Sequence, residues 1–345
     1  MQEAFSSRFI IDGVPRELTP AALLAPVMEK APEPGPAGGT VIDESIDPAP
    51  GLIMPDPART DAYLDAVCSA ERILPVPFAA PCTRGRIAEA LIDGIWRNGN
   101  VRLDDMPLTV KWFCDPSNVG EMAAFYASVE SAAEYMDALG VVLRRCACET
   151  GPFGMKVATP FSGAPLIVSA ELQPDPHSWL VYVPFDISDY RLGGSLLAQT
   201  MGLKGGTAPQ VGDADYFIDC FELVREFAED GVLLSAATIG PGGLGAALRR
   251  MCPGDIGTDV DVADVLRSSG APSASHIVFS EVPGALLQVR DIDFDYLDAE
   301  CILQDIAYFP LGHPVPGGKL RLAVSDRPGI NAILESLMQN AEGED

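Results

Sequence analysis

The feature that most constrains this chain is a strand-like run followed by a paired-glycine turn. Trp179-Leu180-Val181-Tyr182-Val183 is apolar throughout. Arg191-Leu192-Gly193-Gly194-Ser195-Leu196-Leu197-Ala198-Gln199 then turns through two glycines into a helix-like segment. Glycine lets a backbone turn tightly and come close to a neighbour or to a phosphate, and the first amides of a helix favour an anion. A plain packing turn has the same signature, because glycine punctuates loops of every kind. A second paired turn, Gly242-Gly243, follows a strand-like run at 232–236 and opens another helical pattern through Leu244, Leu248 and Met251. A phosphate or nucleotide site, if the chain keeps one, is therefore expected at Gly193, Gly194, Ser195, Gly242 and Gly243, with Arg191 as its cation.

The segments around these turns mix helix and strand without strict alternation, which predicts an α+β fold. Residues 1–70 read as an irregular Pro/Gly-rich arm or linker: a short helix over 19–30, capped by Thr19 with Pro20 at its first position, then proline and glycine in close succession. Residues 71–190 read as a first domain. Ile87, Leu91 and Ile95 share one helical face, and Leu108–Phe113 is a predicted strand. The clearest helix is expected to be capped by Asp115, to start at Pro116 and to end at Gly140. Its apolar stripe is Met122, Phe125, Val129, Ala132, Met136 and Leu139. Strands are expected at 166–170 and 179–183. Residues 191–325 read as a second domain. A helix through Phe217, Cys220, Phe221, Val224 and Phe227 stops at Gly231, strands are expected at 232–236, 276–280 and 285–289, and a helix at 295–305. Residues 326–345 read as a terminal helix, over 328–340, and an acidic tail.

Composition narrows the partners. The 345 residues carry 49 acidic and 23 basic side chains, a formal net charge of -26. Such a surface repels a phosphate backbone, so no nucleic-acid partner is expected. No apolar run approaches the ~18 residues that span a membrane and no N-terminal signal segment is recognisable, so a cytoplasmic location is expected. The eight cysteines include one close pair, Cys146 and Cys148, open to a metal or redox role. His177, His276 and His313 stand far apart and complete no zinc pattern.

The order of segments resembles one half of phosphoribosylformylglycinamidine synthase, of the aminoimidazole ribonucleotide synthetase superfamily. In order along the chain the resemblance rests on Arg86-Ile87-Ala88-Glu89-Ala90-Leu91, Ala138-Leu139-Gly140-Val141, Pro165 to Ala170, Arg191 to Gln199, Gly242-Gly243-Leu244, and Ser280 to Val289. It covers roughly residues 75–325. It implies a first domain that contributes strands to a barrel shared with a partner, and a second domain built as an α/β sandwich. By its position, the N-terminal arm is similar to the segment that joins the two halves of the large enzyme.

Family chemistry moves a phosphoryl group from ATP to an amide or formyl oxygen. That requires carboxylates to hold magnesium and cations to balance the phosphates. The positions matching the family's histidine and two aspartates are Ala237, Thr238 and Pro241. The family's Gly-Lys-Asp-Ser falls near Arg145-Cys146-Ala147-Cys148, its Asp-Pro at Ala80-Pro81, and its asparagine before tryptophan at Lys111. Substitute groups exist in Arg144, Arg145, Glu149, Lys156 and Asp115, but no spacing unites them. No catalytic residue and no metal ligand is therefore assigned, and ATP or ADP with magnesium is a doubtful cofactor. No Cys-His-Glu arrangement resembles the enzyme's glutaminase site, so release of ammonia from glutamine is not expected.

The reading that follows is a non-catalytic, structural half that works with a catalytic synthetase-half partner chain or as a homodimer. A diverged ATP-dependent kinase or ligase of the same superfamily, and a nucleotide-binding regulator, stand as alternatives. An isolated monomer is not expected, because the strands at 108–113 and 166–170 would leave an exposed edge.

Overall fold

A computed structural model of the chain describes residues 10–11, 14–15, 19, 41–49, 52, 57–252 and 254–325. Beyond Thr19, the helix expected over 19–30 lies outside the described residues, as do the whole helix over 328–340, the acidic tail and most of the arm. The chain divides into two units, residues 1–39 and 40–345. In the first, β1 (Ile10–Ile11) and β2 (Val14–Pro15) pair antiparallel.

Among the described residues the second unit holds two sheets. The smaller has the order β4 (Leu143–Glu149), β3 (Leu108–Phe113), β5 (Gly154–Ala158). Its central strand pairs parallel with β4 and antiparallel with β5. Two helices, α2 (Ala79–Ile95) and α3 (Glu121–Ala138), pack together beside it. The helix preceding them, α1 (Pro57–Ser69), instead packs with the second half of the chain.

The larger sheet has six strands. Its order is β11 (Leu320–Ala323), β8 (Ile256–Asp261), β10 (Phe309–Pro316), β6 (Trp179–Pro184), β9 (Gly284–Val289), β7 (Leu233–Ile239). Only the β11–β8 pair is parallel. Trp179–Pro184, grouped by sequence with the first domain, is thus a central strand of this sheet.

Alternation along β6 decides where the core sits. Val181 and Val183 point to one side and pack with Phe217, Phe221, Val224 and Phe227 of α5 (Ala214–Glu229). Leu180 and Tyr182 point to the other, where they join Leu244, Leu248 and Met251 of α6 (Gly243–Met251). A strand buried on both faces reads as an unbroken apolar run, as this one does. Each such fully buried side chain contributes about 1.5–3 kcal/mol, so helices on both faces anchor the sheet. The other α-helices among the described residues are α4 (Leu196–Thr200), α7 (Ala263–Ser269), α8 (Ala274–Phe279) and α9 (Asp291–Leu303). The architecture is mixed α+β.

Several local expectations are corrected. Residues 276–280 lie in helix α8 and its C-cap, not in a strand. A short buried apolar run such as Ile277-Val278-Phe279 suits either state, and periodicity cannot separate them. Residues 166–170 make one isolated bridge, Ser169 to Ser235, in place of a strand. There Ile167 and Val168 both donate to the Trp96 carbonyl, so the chain wraps the end of α2 and touches the edge of β7 through that one bridge. Leu108–Phe113, also expected at an exposed edge, is the central strand of the small sheet, whose edges are β4 and β5; the Leu-Arg-Arg-Cys-Ala-Cys-Glu of β4 lacks the alternation that betrays a strand. Helix α3 begins five residues later than Pro116. Asp115 caps a turn through the Ser117 amide (2.9 Å), and Gly120, at φ 85°, precedes the helix. The buried face of α3 is also more polar than its apolar stripe suggests. Ser128 Oγ meets Thr83 Oγ1 at 2.5 Å and accepts from the Trp112 indole at 2.9 Å. The helix ends at Gly140 and Gly231 stand as expected, both with positive φ.

Candidate functional site

The two glycine turns meet. Loop 185–194 leaves β6 and enters α4, while β7 leads through Gly240 and Pro241 into α6. A cavity of about 30 Å³ lies between them, walled by Gly193, Gly194, Ser195, Gly240, Pro241, Arg86 and Glu281. That is room for about one water molecule.

Each turn is fixed by its packing. The Gly193 amide donates to the Thr207 carbonyl at 2.8 Å, and a Cβ there would stand 2.5 Å from that carbonyl. Gly194 has φ 77°, and Ser195 caps α4 by accepting from the Ala198 amide at 3.2 Å. Gly243 has φ 66°, with the Ser280 carbonyl 2.6 Å from any added Cβ. Its amide donates to Gly240 at 2.8 Å. Arg191 pairs with Asp189 at 2.9 Å and lines neither this cavity nor the wider cleft described below.

Helix-start amides attract an anion, and here an anion is supplied from within. Glu281 Oε1 accepts from the Leu196 amide at 2.8 Å and from the Gly242 amide at 2.9 Å. One carboxylate oxygen thereby bridges the first turns of α4 and α6. Burial pushes the Glu281 carboxyl above its ordinary pKa, against the pull of Arg86 and of the two amides. Sequence reasoning passed over Glu281, although its signal was visible: one acid inside an otherwise apolar run, Val278 to Leu287, with only glycine, serine and proline for company.

Beside this cavity opens a cleft of about 750 Å³. Five cationic side chains line it, Arg72, Arg86, Arg97, Lys156 and Arg250, against two acids, Glu89 and Asp93. Arg72 and Arg86 both reach Glu89, at 3.1 and 3.6 Å, and Arg97 pairs with Asp93 at 2.8 Å. Burial, and then the nearby charge of Arg72, push the Arg250 pKa down. Ala237 and Thr238 also line it. The Thr238 hydroxyl accepts from the Trp96 indole at 2.8 Å, and its carbonyl accepts from Arg250 at 3.3 Å.

Among the described residues no three of His, Cys, Asp and Glu are grouped to hold a metal ion. Ala237 and Pro241 offer no side-chain oxygen, and that of Thr238 is engaged, so these positions do not fit a magnesium ion, which wants carboxylate and water oxygens. The suggested substitutes are scattered. Arg144 and Arg145 are exposed on β4, Glu149 pairs with Lys111 at 2.6 Å, and Asp115 caps its turn. Only Lys156 enters the cleft. Cys148 of the close pair instead has its sulfur 3.4 Å from that of Cys114.

Residues 178–301, which contain both glycine turns and Glu281, match the family described as AIR synthase related protein, C-terminal domain. This chain is AIR synthase-like. Phosphoribosylformylglycinamidine synthase of Homo sapiens is 28% identical over 212 residues, 55% of this chain and 15% of that protein. The probable phosphoribosylformylglycinamidine synthase, chloroplastic/mitochondrial, of Arabidopsis thaliana is 24% identical over 277 residues, 74% of this chain and 18% of that protein. The chain thus spans less than a fifth of the length of these relatives. Among solved structures, Thermotoga maritima PurL complexed with FGAR superposes with a TM-score of 0.55 at 14% identity, covering 73% of this chain and 42% of that one. PurLQS from Thermotoga maritima gives 0.51 at 13% identity, covering 78% and 46%. At such identities the structures attest the fold alone. The relation read from the ordered motifs therefore stands. Among the described residues no helix is long and apolar enough to cross a membrane.

Proposed function

We propose that this chain is a non-catalytic, structural half of a phosphoribosylformylglycinamidine synthase-type assembly of cytoplasmic purine synthesis. The observation that carries the reading is the Glu281 carboxylate, which satisfies the helix-start amides of Leu196 and Gly242 where a phosphate would otherwise bind. The side chains at 237, 238 and 241 support it, since they offer magnesium no carboxylate. In this reading residues 71–190 form the domain that shares a barrel with a catalytic synthetase-half chain or with a second copy, and residues 191–325 form an α/β sandwich. The exposed strand β4 is the edge the partner would cover. With Val142 beside it and Leu143 at its start both open to solvent, that edge invites pairing.

The test is twofold. The purified chain should show no magnesium-dependent ATP hydrolysis, and it should co-purify from its native cell with a synthetase-half chain or run as a homodimer in light scattering. Turnover abolished by changing an acid of the wide cleft would overturn the reading in favour of a diverged kinase or ligase. A stable monomer without a co-purifying chain would remove the structural role.

The cationic cleft favours one second reading, a nucleotide-binding regulator without turnover. Five positive side chains in a chain of net charge -26 are suited to a polyanion such as ATP or ADP. Calorimetric titration with ATP, with and without magnesium, separates the two: the structural reading expects no saturable heat.

A further inference from the structure

Helix α9 (Asp291–Leu303) is apolar on two faces. Leu297 and Cys301 are buried against the unit's core, and the helix packs on α5. On the outer side Ile292, Tyr296 and Leu303 recur at spacings of four and seven, with Ala299 between them and Ile302 adjoining. Ile292 is 84% exposed, Leu303 78% and Ile302 66%. Tyr296 is held upright within this stripe, its ring edge-on to Phe227 at 5.8 Å and its hydroxyl on Asp230 at 3.2 Å. A contiguous apolar patch rimmed by charge marks an interaction surface.

The rim is acidic on balance. Asp291, Asp293, Asp295, Asp298 and Glu300 are the helix's charged residues; Arg290 at its N-cap pairs with Asp293 at 2.7 Å, and Asp298 accepts from the Tyr308 hydroxyl. We propose that the outer face of α9 docks a protein segment that presents an apolar stripe flanked by lysine or arginine, such as a basic amphipathic helix. Charge complementarity selects this occupant. A second copy docking face to face would set one net-acidic rim against another, and like-charge juxtaposition opposes such a pair. An anionic lipid surface is repelled for the same reason.

The probe is a synthetic amphipathic Leu/Lys peptide titrated into the full chain at physiological salt, with a Leu/Glu peptide of equal length as control. The Leu/Lys peptide should bind saturably and the control should not. Ile292→Glu and Leu303→Glu leave the rim charge intact or greater and remove only exposed apolar surface, so their unfolding midpoints should match the parent. They should nevertheless weaken the peptide roughly tenfold or more each, as expected where a few apolar anchors carry the binding. Asp295→Lys, at an exposed position beside the stripe, should weaken it as well. Absence of binding to the parent chain overturns the proposal. Equal or tighter binding to Ile292→Glu also overturns it, because the attraction would then be charge alone. So does a homodimer in light scattering that dissociates in the same variants, which assigns the face to a second copy.

Discussion

The narrow cavity at the glycine turns and the wide cleft beside it share Arg86 as a wall, yet they balance charge in opposite ways. In the cavity the helix-start amides are satisfied by Glu281, a carboxylate of the chain itself. In the cleft five cations face two acids, and the surplus has no counter-charge among the residues lining it. A junction that supplies its own anion is a packing element, whereas a surface that leaves positive charge unbalanced is prepared for a ligand or a partner. The two regions therefore differ in what substitution should do: stability should respond in the first and binding in the second.

The largest effect is expected at Gly243. Valine there meets the Ser280 carbonyl 2.6 Å from its Cβ at a φ of 66°. Left-handed backbone costs a branched residue about 1–2 kcal/mol and overpacking a further 1–3 kcal/mol, so Gly243→Val should lower unfolding free energy in urea by a few kcal/mol. Loss within experimental error would mean that the junction is loose, and the contrast with the cleft would fail.

Next comes Glu281→Ala. It leaves two helix-start amides without an acceptor, at about 1–3 kcal/mol each where no water enters. Inorganic phosphate should then recover part of the lost stability in the variant and none in the parent, read as a phosphate-dependent rise of the unfolding midpoint. A phosphate response of equal size in both proteins would show that the carboxylate does not occupy an anion site.

The cleft should behave in reverse. Arg72→Gln and Arg250→Gln remove cations from a solvent-accessible wall and should change stability by about 0.5 kcal/mol or less. If the cleft takes a polyanion, each should weaken magnesium-free ATP about tenfold by calorimetry, the 1.4 kcal/mol equivalent of one favourable charge contact. Should neither variant alter a measured affinity, the surplus charge serves a partner chain and not a nucleotide.

How far the sequence carried this contrast can be traced residue by residue. Both glycine turns were legible because positive φ and close backbone approach leave few residue types available, and β6 and β9 because strands buried on both faces read as continuous apolar runs. The run at 276–280 is equally apolar and turned out helical, since burial on every side erases the period that separates the two states. Strand β4 was missed because its edge position lets arginine and cysteine stand where a core strand would alternate. The cleft was missed because its cations come from residues 72, 86, 97, 156 and 250, which only tertiary folding unites. A partial signal did exist in α2 and its C-terminal end, where Arg86, Glu89, Asp93 and Arg97 fall at helical spacing on one face. Such a stripe ordinarily reads as a solvated surface.

The smallest expected effect is a pH slope, and it tests whether Glu281 is held by the junction or strained within it. The carboxyl stands above its ordinary value of 4.5 because burial outweighs Arg86 and the two amides. A carboxyl whose folded pKa exceeds its unfolded one binds protons preferentially in the folded state, so its contribution to stability falls as pH rises through the interval between the two. Below that interval both states are protonated and the effect vanishes; above it the penalty for the buried charge is complete. Glu281→Gln keeps an oxygen acceptor for the amides and removes the titration. Urea unfolding from pH 4 upward should therefore show the stability of the variant rising relative to that of the parent as pH increases, whichever is the more stable at pH 4. A variant that falls relative to the parent with rising pH would mean that the amides and Arg86 stabilise the ionised form more than burial opposes it. The anion of the narrow cavity would then be bound as firmly as an external phosphate.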